Sequence, residues 1–99
     1  MALQYNFEWD IKKAKGNFRK HGVNFENAST VIRDPHAITI YDDEHGDSED
    51  RWITLGVADN GLLLVVHHTF KQVDKNTVSV RIISSRKATK KETRQYMEI

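Results

Sequence analysis

The first part of the chain carries apolar residues at helical spacing. They recur every three or four positions, at Ile11, Ala14 and Phe18. With Asp10 able to cap the first turn and Gly22 just past the last, this spacing predicts a helix from Ile11 to about His21. A second stripe, one residue behind the first, is polar and comprises Lys13, Asn17 and Lys20. We expect this second stripe to face water or a ligand.

A short strand before this helix and a second helix after it are also predicted. Residues 5–8 alternate apolar and polar side chains, which favours a strand. Asn24 can cap a helix over residues 25 to about 32, which is followed by Asp34-Pro35. Because proline disfavours helical geometry at the residue before it, the helix should end there.

Runs of β-branched and other apolar residues dominate the middle of the chain. They cover residues 37–41, 51–58, 62–69 and 77–84. The dipeptide Asn60-Gly61 is typical of a hairpin turn, and we interpret residues 71–76 as a further turn. Short connections of this kind favour antiparallel neighbours. In the last run, alternation places Arg81 on the face of the sheet opposite Val78.

A signal for the start of a helix follows the last predicted strand. Thr89 and Glu92 form a capping box, which predicts a helix from Lys90 to about Met97. The order strand, two helices, sheet and helix predicts an α+β fold with a mainly antiparallel sheet of about four to five strands. With 99 residues and 38% apolar content, the chain fits one domain, residues 1–99.

Composition excludes several classes of protein. The chain has no cysteine, which excludes disulfides and thiolate metal sites. Its amino terminus lacks the basic-then-apolar layout of a signal peptide, so we expect a cytoplasmic protein. The longest apolar run, residues 62–66, is far shorter than the roughly 20 residues of a membrane-spanning helix, and we expect no membrane role.

Charge is segregated along the chain, although the formal net charge is only +1. Residues 42–50 hold six of the fourteen acids and no Lys or Arg, whereas residues 81–96 hold six Lys or Arg and one acid. The acidic loop can be a solvated turn, a metal site built from residues 42–45, or a mimic of a polyanion near the basic surface; we favour the solvated turn. The basic segment predicts binding of phosphate groups.

Several spaced motifs resemble one known protein family. They include Phe7-Glu-Trp-Asp10, Lys20-His-Gly-Val-Asn-Phe25, Asp34-Pro35 and Arg81-Ile-Ile-Ser84. In this order, along nearly the whole chain, they resemble the BrnT toxins of bacterial type II toxin–antitoxin systems. The resemblance implies a RelE-like fold, RNA cleavage without a metal or other cofactor, growth arrest, and neutralisation by a BrnA-like antitoxin. It also implies that DNA is bound only through the antitoxin.

Three arginines and one histidine are candidates for catalysis. Cleavage of RNA without a metal needs cations for the developing negative charge and groups that transfer protons. Arg51, Arg81 and Arg86 are the candidate cations, because a guanidinium can bind two phosphate oxygens at once. We favour Arg81 and Arg86, since Arg51 can equally pair with the acids just before it. His21 is the candidate for proton transfer, and it can equally be a structural histidine at a helix end.

Further basic and aromatic residues are candidates for binding RNA. They are Lys13, Lys20, Lys87, Lys90, Arg94 and Tyr96. For Tyr96 we favour packing over stacking on a base, and for Glu92 we favour the helix cap over a role as general base. His67 and His68 are adjacent on a strand and point to opposite faces, so they do not form one metal site together.

Two functions fit this sequence. The leading hypothesis is a ribonuclease toxin that stabilises the cleavage transition state with arginines and is neutralised by an antitoxin. The alternative is a non-catalytic module that binds nucleic acid or a protein through the same basic segment. We do not favour a repressor acting alone, because no helix-turn-helix with a basic recognition helix is evident in the first two helices.

Overall fold

A β-sheet and three helices build the fold. The computed structural model describes residues 3–44 and 49–98. The elements in this part of the chain are β1 (Gln4–Glu8), α1 (Ile11–His21), α2 (Phe25–Thr30), a 3-10 turn (Val31–Arg33), β2 (Ile38–Tyr41), β3 (Arg51–Val57), β4 (Leu63–Thr69), β5 (Lys71–Asp74), β6 (Thr77–Lys87) and α3 (Lys90–Met97). Within these residues, no helix is long and apolar enough to cross a membrane.

The sheet of the described residues has six strands in the order β1-β6-β4-β3-β2, with β5 also paired to β6. β1 runs parallel to β6, with Phe7 beside Val80, and the other pairs are antiparallel. The α+β class is as predicted, but the sheet is mixed and has more strands than we expected. Because two helices follow β1, no short connection to a neighbouring strand fixes its direction.

The additional strand, β5, lies in the residues that we predicted as a turn. Its side chains are all exposed, and of its four residues only Val73 is apolar. No buried face therefore imposes an alternating pattern on this sequence. The strand forms because its backbone pairs with the start of β6, where Lys71 lies opposite Ser79 and Gln72 opposite Val78.

The predicted helix caps are present at both α1 and α3. The carboxylate of Asp10 accepts a hydrogen bond from the first turn of α1 at 3.0 Å, and Gly22 ends that helix with a φ of 70°. Thr89 and Glu92 form the predicted capping box at the start of α3. α2 is shorter than predicted, since it ends at Thr30 and the 3-10 turn replaces its last turn.

The core lies between one face of the sheet and the first two helices. The helical region contributes Val23, Phe25, Ala28 and Val31. The strands β4 and β6 contribute Leu64, Val66, Val78, Val80 and Ile82. Each fully buried Val, Leu, Ile or Phe side chain stabilises the fold by roughly 1.5–3 kcal/mol relative to its exposed state. The buried row on β6 confirms the predicted alternation of that strand.

The side chain of Asn17 is buried, which corrects the predicted orientation of α1. Ile11 and Phe18 of the expected apolar stripe are 68% and 56% exposed, whereas Asn17 is 8% exposed. Its Nδ2 donates to the carbonyl oxygens of Val23 at 3.0 Å and Ser85 at 2.8 Å, and its Oδ1 accepts from the backbone N of Ser85 at 3.0 Å. The amide is buried because it satisfies backbone groups of β6 beyond the end of β1.

The buried imidazole of His68 is held in one tautomer. Its Nδ1 lies 2.9 Å from the carbonyl oxygen of Thr69, and its Nε2 lies 2.7 Å from Oγ1 of Thr54. Because a carbonyl can only accept, Nδ1 donates and Nε2 accepts from the threonine hydroxyl. Burial lowers the pKa of His68, and the neutral imidazole is the form that fits these partners.

Replacement of Asn17 by alanine should destabilise the protein strongly. It leaves the backbone N and O of Ser85 and the carbonyl of Val23 without their side-chain partner in a buried place. We expect a loss of about 2–4 kcal/mol in the free energy of unfolding, measured by urea titration. Lys13→Ala, at an exposed position of the same helix, is the control. Equal stability of the two variants would contradict this role of Asn17.

Mild acid should destabilise the fold through His68. Its pKa in the folded protein lies below the ordinary value of 6.5, so the unfolded chain takes up the proton first as the pH falls. The neutral imidazole therefore contributes its full stability above about pH 6.5, and this contribution is lost as the pH falls below that value. Urea unfolding at several pH values should show a smaller pH dependence in His68→Gln than in the native protein. An equal pH dependence in His68→Gln and in the native protein would contradict this role of His68.

Candidate active site

Three arginines and a histidine lie on the sheet face opposite the core. β4 alternates between the two faces, and since Leu64 and Val66 belong to the core, His67 and Thr69 point away from it. Arg51 on β3 pairs with Thr69. We call this surface the open face and define it by Arg51, His67, Thr69, Arg81, Ser84 and Arg86.

The strand β6 brings two of these arginines to the open face. Arg81 donates its backbone N–H to Oγ1 of Thr69 at 3.1 Å, and Arg86 pairs with Val65. In a regular strand, residues five positions apart point to opposite faces. Here the pairing of β4 with β6 shifts between His67 and His68, and this irregularity places both arginines on one face.

A cleft on the open face contains His67. The cleft has a volume of about 210 Å³ and is lined by Asp42, Arg51, His67, Ile83 and Ser84. Along β4, His67 lies between Thr69 and Val65, roughly 7 Å from each, so it stands between the row of Arg51 and the row of Arg86. From the sequence, we considered His67 only as a metal ligand. Strand alternation was the signal that could have placed it beside the arginines.

Glu49, which no sequence motif singled out, contacts two of the arginines. Its Oε1 accepts a hydrogen bond from Nη2 of Arg81 and lies 3.6 Å from Nη2 of Arg51. Of the three interpretations of the acidic loop, Glu49 therefore fits the mimic of a polyanion beside the basic surface rather than the solvated turn that we favoured. The spacing Glu49-x-Arg51 was a signal for the second contact, but no local pattern links Glu49 to Arg81.

The metal interpretation of the acidic loop gains no support from the residues around it. Within residues 3–44 and 49–98, no three His, Asp or Glu side chains are placed to hold a metal ion. His45, one of the four residues of that interpretation, lies outside the described residues.

Arg86 is bound to Glu92 by two parallel hydrogen bonds. Nη1 donates to Oε1 at 2.8 Å and Nη2 to Oε2 at 3.0 Å. The guanidinium lowers the pKa of Glu92 to about 2, with help from the backbone N–H of Thr89, and the carboxylate raises the pKa of Arg86. Glu92 is thus a cap, as predicted, and also an ion-pair partner. The pair ties α3 to the end of β6.

Tyr96 anchors the C-terminal end of α3. Its hydroxyl donates to Oδ2 of Asp34 at 2.5 Å, and the same oxygen accepts from the backbone N of Val57 at 2.8 Å. Burial alone would raise the pKa of Asp34, but the hydrogen bonds from Tyr96, Val57 and His36 hold it below its ordinary value. The same contact raises the pKa of Tyr96. These bonds agree with packing of Tyr96, the interpretation that we favoured over base stacking.

The other predicted site residues lie on different elements. His21, Lys13 and Lys20 lie on α1, which packs through Ala14 on the core side of the sheet. No hydrogen bond joins these three side chains to the open face in the described part of the chain. Lys87, Lys90 and Arg94 are exposed at the end of β6 and on α3. The structure therefore places Arg51, Arg81 and Arg86 on one face of the sheet, where only Arg51 and Arg81 share a partner, and it does not place His21 there.

A family model described as "Ribonuclease toxin, BrnT, of type II toxin-antitoxin system" matches residues 9–92. The chain belongs to the BrnT family. The resemblance of its sequence motifs is thereby confirmed, and the matched range includes every arginine of the open face. Membership in a type II toxin–antitoxin family implies an antitoxin partner.

One solved member of the BrnT family has a similar fold. The crystal structure of the Brucella abortus ribonuclease toxin BrnT, at 1.1 Å resolution, matches with a TM-score of 0.57 and 23% sequence identity. The match covers 89% of this chain and 100% of that chain. At this identity the likeness supports the fold alone. No curated protein matches the chain.

Replacement of Glu92 by alanine should loosen α3. The variant removes the ion pair with Arg86 and one half of the capping box. Near neutral pH we expect a loss of about 1–2 kcal/mol in the free energy of unfolding, discounted for the partial exposure of Arg86. Because the pKa of Glu92 is lowered from 4.5 to about 2, the contribution is complete above about pH 4.5 and is lost as the pH falls towards 2.

The measurement compares native protein, Glu92→Ala and the exposed control Lys91→Ala by urea unfolding. The deficit of Glu92→Ala should be smaller at about pH 3 than at about pH 7. A deficit that is independent of pH would show that the carboxylate charge does not contribute.

Proposed function

We propose that this BrnT family member cleaves RNA without a metal ion at its open face. The supporting observation is that Arg51, Arg81, Arg86 and His67 come from three strands and lie on one face of the sheet. The protein acts as the toxin of a type II system, arrests growth, and is neutralised by a BrnA-like antitoxin. DNA binding belongs to the antitoxin.

The reaction is the attack of a ribose 2′-oxygen on the adjacent phosphorus. The 2′-hydroxyl gives its proton to solvent water, the O2′–P bond forms while the P–O5′ bond breaks, and O5′ gains a proton, which leaves a 2′,3′-cyclic phosphate and a 5′-hydroxyl. Negative charge accumulates on the phosphate oxygens during this step. Arg51 and Arg81 carry the role of stabilising that charge, because both guanidiniums meet at one point of the open face.

His67 is the candidate that transfers a proton to the leaving O5′. It lies in the same cleft as Arg51, and imidazole is the side chain whose ordinary pKa lies nearest neutrality. His68 does not suit this role, since both its ring nitrogens are engaged in the core and burial lowers its pKa. His67 therefore replaces His21 in our proposal.

Exposed cations beside the open face supply further contacts to the RNA backbone. Lys87, Lys90 and Arg94 are exposed on β6 and α3, and each can neutralise a phosphate as the strand passes. Arg86 already has a bidentate carboxylate partner and is assigned to holding α3 rather than to the reacting phosphate.

A non-catalytic binding module remains the second candidate. One observation favours it: Arg81 and Arg86 both have carboxylate partners within the protein, so neither guanidinium awaits a substrate. Such a module would bind RNA or the antitoxin without breaking the P–O5′ bond.

The decisive experiment uses purified, antitoxin-free protein, single-stranded RNA and EDTA. We expect cleavage that yields 2′,3′-cyclic phosphate ends and no cleavage of the matching DNA, which lacks the attacking 2′-hydroxyl. Arg81→Ala should reduce the rate about 10²–10³-fold. His67→Ala should reduce it about 10²–10⁴-fold.

Matched controls are Arg19→Ala and His36→Ala, both at exposed positions away from the open face. Urea unfolding verifies that all variants are folded. Intact RNA after incubation with the folded native protein would exclude the metal-independent enzyme and favour the binding module. Equal rates for Arg81→Ala and Arg19→Ala would exclude the open face as the catalytic site.

A further inference from the structure

Two guanidinium groups of the open face converge on a single oxygen atom. Oε1 of Glu49 accepts a hydrogen bond from Nη2 of Arg81, and Nη2 of Arg51 lies 3.6 Å from the same oxygen. Arg51 begins β3 and Arg81 lies within β6, so the strands hold the two cations in position. Cationic donors placed around one anionic oxygen are also the arrangement that binds a phosphate group.

Arg51 has a further donor that Glu49 does not use. Among the described residues, Nε of Arg51 is a buried side-chain nitrogen without a hydrogen-bond partner. A buried donor without a partner is costly, and native proteins rarely retain one without a reason. A phosphodiester presents two non-bridging oxygens in tetrahedral geometry, and one of them can take this donor while the other meets the two Nη2 groups.

Glu49 is suited to leave its place. Its side chain is 33% exposed, so the carboxylate can reach water by rotation about its own side-chain bonds. Replacement of the carboxylate by a phosphodiester exchanges one negative charge for another, so the two arginines remain neutralised. Arg86 differs, because its partner Glu92 is also held by the capping box of α3.

We propose that the meeting point of Arg51 and Arg81 is a binding site for an RNA phosphodiester, and that Glu49 occupies it in the resting protein as an internal competitor. This inference rests on the proposed function and deepens it. RNA then binds by exchange with the carboxylate, and the charge of Glu49 lowers the affinity of the toxin for its substrate.

The test measures binding rather than cleavage. The probe is a short single-stranded RNA with 2′-O-methyl groups, which cannot be cleaved because the 2′-oxygen is blocked. Glu49→Gln keeps the size of the side chain and removes its charge. We expect this variant to bind the probe about 10-fold more tightly than native protein at the same ionic strength.

Two controls make the result specific. Asp43→Asn removes one charge from the same acidic loop at an exposed position and should change the affinity little. The double variant Glu49→Gln, Arg81→Ala should lose the gain in affinity, because the gain acts through Arg81. An equal gain in Asp43→Asn and Glu49→Gln would overturn the inference, since it would reflect only the charge of the loop.

The outcome is distinguishable from a failure of the proposed function. If Glu49→Gln binds no more tightly and also loses cleavage of unmodified RNA, Glu49 is a proton-transfer group and the inference is wrong while the ribonuclease stands. If native protein cleaves no RNA but Glu49→Gln binds the probe more tightly, the phosphate site stands and the enzyme does not.

Discussion

The buried amide of Asn17 holds the second half of β6 at the edge that β1 leaves unpaired. β1 pairs with β6 only as far as Arg81, and beyond that point Asn17 takes over by bonding both the N–H and the carbonyl of Ser85. A side-chain amide thus replaces a strand at the edge of the sheet. Through this contact α1 holds the part of β6 that carries Arg86, and through the rest of the strand β6 positions Arg81.

An irregularity in one pair of strands then decides which side chains reach the open face. Arg81 and Arg86 are five residues apart, a separation that regular alternation would send to opposite faces. The register shift between His67 and His68 gives β6 one additional residue relative to β4. Ile82 and Ser85 therefore both remain buried, and Arg81 and Arg86 lie on the same face. The site is therefore a consequence of how β4 and β6 pair, not of the sequence of β6 alone.

This dependence explains which features could be predicted from the sequence. The bounds of α1, the capping box of α3 and the face of Arg81 follow from local rules, and all were predicted. The buried face of α1, the strand β5 and the parallel pairing of β1 depend on partners distant in sequence. The contact of Glu49 with Arg81 could not be predicted for the same reason, whereas the spacing Glu49-x-Arg51 and the alternation of β4 were local signals for Glu49 and His67. The family resemblance included Arg81, Arg86 and Glu92 but gave no signal for the contact of Glu49 with Arg81.

Arg86 and Arg81 differ in how firmly their carboxylate partners are held. Glu92 receives two hydrogen bonds from Arg86 and one from the backbone of Thr89, which together lower its pKa to about 2. Glu49 bridges two arginines and has no such cap, so a phosphate can compete with it more easily than with Glu92. Under our proposal, exposed lysines attract the polyanion over a distance. Under our proposal, attraction and binding belong to different cations, and only Arg51 and Arg81 exchange their carboxylate partner for a phosphate.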